Sequence, residues 1–204
     1  MSNTVLKELD DGVLKLTLNR PERKNAFNIE QWAAFADAIA EAQQDKRVAV
    51  VLLGGAGGNF SSGTDLYEFG DAGAEHPFPR CARLVCDFDK PLIGAAGGIA
   101  LGGGATLLLH CDVLYVGESL RMRLPFVSLG LVPEFGSSYQ LQANIGARRA
   151  AELFFTAEWI TAARALEAAG RTVVHMEIGE PDFPTPPLVV AAAQRAIAAG
   201  DVYY

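Results

Sequence analysis

The sequence predicts an α/β fold, and three observations carry that reading. "VLKLTL" (Val13–Leu18) alternates with period two and sets Leu14, Leu16 and Leu18 on one face, as a half-buried strand requires. "NIEQWAAFADAIAEAQQD" opens on Asn28 as an N-cap with Gln31 three residues on, and Ile29, Trp32, Ala36 and Ile39 form one apolar stripe, which predicts a helix. "VAVVLL" (Val48–Leu53), "PLIGAA" (Pro91–Ala96) and "DVLYV" (Asp112–Val116) are short apolar runs separated by helical or Gly-rich segments, the pattern of buried parallel strands with crossovers.

Composition bounds what such a fold does. Half of the 204 residues are hydrophobic, enough for a sizeable core in one domain or one domain plus a small appendage. A net charge of -7 argues against nucleic acid and anionic membrane as partners, so any anionic ligand must meet a local basic patch. Three cysteines, Cys81, Cys86 and Cys111, are an odd number, and the start "MSNTVLKELDDG" is polar and acidic, so a reducing, cytoplasmic setting is expected. The uncharged run Leu92–Cys111 meets the length of a membrane span, but its six glycines would break a helix and expose backbone to lipid. A buried strand, a tight Gly turn and a buried helix are expected there instead.

Familiar motifs do not account for the chain. "GGAGGNFSSG" follows a strand, yet has neither the Lys-Ser/Thr ending of a P-loop nor the register of a dinucleotide fingerprint. Ser61 and Ser62 lack a nucleophile elbow, because Asn59 stands where its first glycine belongs. His76, Cys81, Cys86, His110 and Cys111 show no paired ligand spacing, so no metal is expected, and they read as buried small hydrophobes and ordinary surface histidines. Two backbone features remain: "FSSGTDL" (Phe60–Leu66) and "GGIALGGGATLLLHCD" (Gly97–Asp112), each following a strand. Glycines let main chain approach a ligand, and a helix starting near Gly103 aims unpaired N–H groups at it; two such groups make an oxyanion hole. Taken singly, the same glycines serve tight turns and close helix packing.

In this order and spacing the segments resemble the crotonase (enoyl-CoA hydratase/isomerase) superfamily. The resemblance rests on "LNRPERKNAFN", "FSSGTDL", "KPLIGAAGGIALGGGATLLLHCDVLYV", "PFVSLGLVPEFGSSYQL" and "GARRAAELFFTAEWITAARALEAAG", and runs from about residue 4 to 170. It implies a ββα spiral, a coenzyme A thioester as substrate, and an oxyanion hole from the N–H groups of Thr64 and Gly103. It further implies CoA contacts at Arg23, Lys24, Ala26, Ser62, Asp65 and Leu66, an acyl pocket at Phe126, Leu131 and Phe135, and a homotrimer or hexamer. Coenzyme A enters as part of the substrate in fatty acid metabolism, and no further cofactor is expected.

Departures from the family pattern narrow the chemistry. Hydratases of the superfamily carry two glutamates, where this chain has Thr106 and Phe126. Adding water needs groups to activate it and to manage the proton delivered to carbon, so hydration is disfavoured. "LGLVPEFGSS" resembles instead the Δ3,Δ2-enoyl-CoA isomerase branch, in which one glutamate, here Glu134, is the single acid/base. An apolar setting from Phe126, Leu131, Val132 and Phe135 would raise its pKa. A dehalogenase-type reaction is the related alternative, although those members place an aspartate there. Arg20, Arg23 and Lys24 form a basic cluster for CoA phosphates, or a solvated turn.

After Gly170 the family pattern ends, about eighty residues before that of typical members, so a spiral truncated at its C-terminal helices is expected. "RTVVHMEIGEPDFPTPPLVVAAAQRAIAAGDVYY" resembles the N-terminal segment of a class I pyridoxal-phosphate aminotransferase, a short loop-plus-helix tail joined as in a fusion or chimera. A helix is expected from Pro186, capped by Thr185 and ended by Gly200. Pyridoxal-phosphate chemistry needs a Schiff-base lysine, and Lys90 is the last lysine in the chain, so no pyridoxal phosphate and no second active site are expected. The second functional reading is an inactive, CoA-thioester-binding remnant of the fold.

Overall fold

The computed structural model describes residues 3–68 and 76–161; the aminotransferase-like segment and its expected helix lie outside the described residues. The chain begins with a hairpin, β1 (Val5–Asp10) and β2 (Val13–Leu18), closed by Asp11 and Gly12 at φ 40° and 80°, the left-handed pair that a tight hairpin turn requires. Leu14, Leu16 and Leu18 are all buried, as their period-two spacing predicts. β2 then pairs in parallel with β3 (Val50–Gly55), β3 with β4 (Leu92–Ala96), and β4 with β6 (Val113–Val116). Two expectations shift here. β3 begins at Val50, not Val48, which is buried in the approach to the strand. β6 ends the sheet order, so Tyr115 is exposed and the strand is only half buried.

Helix α1 (Ile29–Gln44) starts as read, the Asn28 side chain accepting from the Gln31 N–H at 2.9 Å. Its buried stripe is Trp32, Phe35, Ala36 and Ile39; Ile29, at 39% exposed, stands outside it. At 100° per residue Ile29 lies about 70° off the centre of that stripe and in the first turn, where the helix leaves the core.

The Leu92–Cys111 run is not one helix but β4, then β5 (Ile99–Leu101), then α3 (Gly103–Leu108). No helix among the described residues is long and apolar enough to cross a membrane. β5 founds a second sheet, pairing in parallel with β7 (Arg121–Arg123), which pairs antiparallel with β8 (Ile160–Thr161). Single bridges continue this sheet backwards, Ser61 to Ala100 and Phe27 to Thr64. Each turn of the chain thus gives one strand to the first sheet, a strand or bridge to the second, and then a helix: β3, Ser61, α2 (Phe78–Cys86); β4, β5, α3; β6, β7, α4 (Ser137–Ile145), followed by α5 (Ala147–Thr156). This is a ββα spiral. Its consequence for function is that the loops leaving successive second-sheet segments lie side by side.

Candidate active site

Two of those loops meet at Gly63 and Gly103. Phe27 N–H donates to the Gly63 carbonyl at 2.7 Å and Asp65 N–H to the Phe27 carbonyl at 2.8 Å, so Thr64 between them turns its own N–H away from Phe27. Gly63 sits at φ +85°, and a Cβ there would fall 2.6 Å from the Leu101 carbonyl oxygen and 3.4 Å from the Gly103 nitrogen. Gly102, at φ 47° and ψ -119°, makes a turn that a side chain would forbid and leaves Gly103 as the first residue of α3. Among the described residues neither the Thr64 nor the Gly103 N–H finds a protein acceptor. Ser61 fixes the first loop from inside: its hydroxyl donates to the Asn25 carbonyl at 2.8 Å and accepts from Gly63 N–H at 3.1 Å.

Glu134 reaches the same point from a third loop. Its Oε1 is 3.3 Å from where a Cβ on Gly103 would stand, so the absent side chain is what admits the carboxylate. The Glu134 carbonyl accepts both the N–H (2.9 Å) and the hydroxyl (2.6 Å) of buried Ser137, which starts α4. Burial pushes the Glu134 carboxyl above the usual carboxylate range. Thr106 and Phe126 are fully or nearly buried, and the Thr106 hydroxyl donates back to the Gly103 carbonyl at 3.2 Å, a helix-internal bond.

These loops bound a cavity of about 440 Å³, walled mainly by apolar side chains that include Leu101, Phe126, Leu129, Leu131 and Val132. Thr64, Gly103 and Glu134 all face it, with Ser62 and Leu66 beside them. Phe135 does not. It is buried behind the loop at φ 55°, its ring 5.6 Å from Phe78 and 4.4 Å from His110. Its expected place in the acyl pocket is therefore corrected: chain direction reverses at Glu134, and adjacent side chains face opposite ways.

His110 is likewise no ordinary surface histidine. Its Nε2–H donates to the Phe135 carbonyl at 2.8 Å, while Nδ1 accepts from Gln140 Nε2 at 3.2 Å, an arrangement that selects the neutral imidazole. Burial lowers its pKa, partly offset by the Phe135 bond. His110 so pins the residue next to Glu134. Cys81 is buried as read and Cys111 half-buried, burial pushing both thiols up to about 12, whereas Cys86 is exposed, contrary to the expectation that it is a buried small hydrophobe.

The expected CoA contacts divide into two kinds. Arg23 and Lys24 are exposed, the Arg23 guanidinium lying 5.7 Å over the Tyr67 ring, and their carbonyls accept the Ser62 hydroxyl and N–H. Arg20, by contrast, is spent inside the fold: it pairs with the Asp65 carboxylate at 3.2 Å, and both side chains are largely buried. The basic cluster is thus Arg23 and Lys24 alone, and the Asp65 carboxylate holds the loop to Arg20. Ala26 is buried, its carbonyl accepting from Arg20. Arg123 and Trp159, neither of which was singled out from the sequence as a site residue, also line the cavity.

A spiral of ββα turns with two free loop N–H groups and one carboxylate on an apolar cavity is the crotonase fold. A crystal structure of an enoyl-CoA hydratase/isomerase from Pseudoalteromonas atlantica T6c superposes with a TM-score of 0.78 at 37% identity, over 82% of this chain and 67% of that one. The chain belongs to the enoyl-CoA hydratase/isomerase family, whose profile matches residues 8–174. Among curated relatives, it is 34% identical over 177 residues to the 1,2-epoxyphenylacetyl-CoA isomerase of Escherichia coli K12, covering 82% of this chain and 68% of that protein. It is 35% identical over 160 residues to the 2,3-dehydroadipyl-CoA hydratase of the same organism, covering 76% of this chain and 63% of that one. The chain spans about two thirds of the length of these relatives.

Proposed function

We propose that the chain acts on acyl-CoA thioesters and shifts a 3,4 double bond to the 2,3 position, with Glu134 as the single acid/base. The observation that supports this reading is the approach of the Glu134 carboxylate to Gly103, its Oε1 lying 3.3 Å from where a Cβ on Gly103 would stand, close to one of the two loop N–H groups. The thioester oxygen would accept from the Thr64 and Gly103 N–H groups, neither of which has a protein acceptor among the described residues. Glu134 takes the C2 proton; the C2–H electron pair forms a C1=C2 bond as the thioester C=O opens, and the negative charge resides on the thioester oxygen of this dienolate, between the N–H groups, with C3=C4 still in place. The protonated Glu134 then returns its proton to C4, which leaves the C2=C3 double bond conjugated with the thioester. No water is consumed, in keeping with Thr106 and Phe126 at the two hydratase carboxylate positions. Burial of Glu134 supports the role, since a raised pKa makes the carboxylate a stronger base and its acid a competent donor.

The test is direct. Purified chain is incubated with a 3-enoyl-CoA and a 2-enoyl-CoA, and conjugated-thioester absorbance and product mass are followed. Absorbance growth with unchanged mass from the 3-enoyl ester is the expected result. Tight binding of both esters without turnover would favour the remnant reading.

A further inference from the structure

Arg123 stands out in the cavity wall once Glu134 has its role. Its guanidinium is half-buried and faces a mainly apolar space, where an ion without a partner is costly. Nε donates to the Ala157 carbonyl, and the guanidinium lies 5.8 Å from the Trp159 ring centre, the same ring that exposed Arg121 covers at 4.4 Å. Those contacts orient the guanidinium and leave its terminal N–H groups without an acceptor among the described residues. Among the described residues no carboxylate lies within ion-pair distance of it, Glu134 included, although both line the same cavity. The Ala157 bond explains Nε as a tie between β7 and the end of α5. It does not explain why an arginine lines an acyl-sized space.

We propose that Arg123 binds a carboxylate at the far end of the acyl group, so that this site takes short dicarboxylic acyl thioesters in preference to simple fatty acyl ones. The inference rests on reading the cavity as an acyl-CoA site. A planar guanidinium matches a carboxylate with two parallel hydrogen bonds, and the match gains strength where water is excluded. The chain length is limited by the fold. Arg123 is the register partner of Leu101, two residues before Gly103, so its reach starts close to the N–H pair that would hold the thioester. A phosphate of the CoA nucleotide is the other anion that the fork would suit, and the test separates the two.

Binding of unreactive saturated ligands is measured by calorimetry: hexanoyl-CoA, the mono-CoA thioester of hexanedioic acid, and hexanoyl-pantetheine, which has no nucleotide. The wild-type chain should bind the dicarboxylic ester roughly tenfold or more tightly than hexanoyl-CoA, and Arg123→Gln should remove that preference while Arg123→Lys keeps part of it. Gln Nε2 stands where the Arg Nε donates and can keep the Ala157 bond, whereas Lys has a methylene there, so a preference kept by Lys and lost by Gln reports charge and not the structural tie. Equal wild-type affinity for the two esters, which requires no variant, overturns the proposal. So does an Arg123→Gln variant that weakens both CoA esters alike and spares hexanoyl-pantetheine, because the guanidinium would then serve a phosphate. Failure of every ligand to bind would sink the acyl-CoA reading itself and this inference with it, an outcome distinct from binding without preference.

Discussion

The proposed mechanism rests its chemistry on one side chain, Glu134, and substituting it should separate turnover from binding. Glu134→Gln keeps the shape of the group but cannot accept a proton, so isomerisation should fall by at least about a hundredfold while affinity for a saturated acyl-CoA changes little. Single-turnover absorbance together with calorimetry checks both halves; comparable turnover in the variant would end the assignment. The raised pKa of Glu134 makes two further pH statements. As a base it must be ionised, so kcat/KM should rise with pH along a limb above the ordinary carboxylate range. For stability the sign is opposite. Burial favours the protonated form, so the native state is relieved below the unfolded value of 4.5 and loses that contribution as pH rises through the higher folded value. Thermal melts should therefore find Glu134→Gln more stable than wild type at neutral pH, with the gap closing in acid.

Around that residue the elements leave little freedom. Gly104 in α3 lies so close to Ser61 that a Cβ would fall 2.6 Å from the Ser61 carbonyl and 2.8 Å from its side chain. Gly104→Ala should destabilise the fold by about 1–3 kcal/mol and spread the two N–H groups, as read by melts and by weakened acyl-CoA binding. The His110 clamp acts on the opposite side. With the Phe135 carbonyl released, Glu134 can shift relative to Gly103, so His110→Ala should lower kcat about tenfold with little change in KM, and His110→Gln, which keeps an N–H donor, should recover part of it. A purely structural loss would instead scale with the fraction unfolded. Because burial holds His110 neutral, its contribution is present above the usual imidazole value of 6.5 and is lost as pH falls through the lower folded value. The clamp should fail first in acid, seen as a steeper loss of Tm than in His110→Gln.

At the scale of the molecule, the spiral puts unlike loops together and then distributes different chemistry among them. With Thr106 bonded back into α3 and Phe126 in the apolar wall, the chain should add water to a 2-enoyl-CoA far more slowly than it isomerises a 3-enoyl-CoA. Mass spectrometry decides this, since hydration adds one water and isomerisation none. Robust hydration by the unmodified chain would place a second base somewhere other than these positions.

The sequence by itself determined β2, β3, β4 and β6 but not β1, β5, β7 or β8, together with the α1 cap at Asn28, the absence of a lysine after Lys90 and the two glycine loops, because these follow from local periodicity, turn chemistry and composition. Motif order carried the family and singled out Thr64, Gly103 and Glu134. It did not carry which way neighbouring side chains point at a reversal: Phe135 and Glu134 are adjacent in sequence, yet one packs on His110 and the other faces the cavity. Nor could it assign Arg20 to Asp65, separated by 45 residues, and so remove a cation from the basic cluster. His110, Arg123 and Trp159 gave no local signal, since their roles come from carbonyls and rings on other turns of the spiral. Only the tertiary structure brings those partners within hydrogen-bond and van der Waals reach, and the loss of water there is what raises the Glu134 pKa and keeps the His110 imidazole neutral.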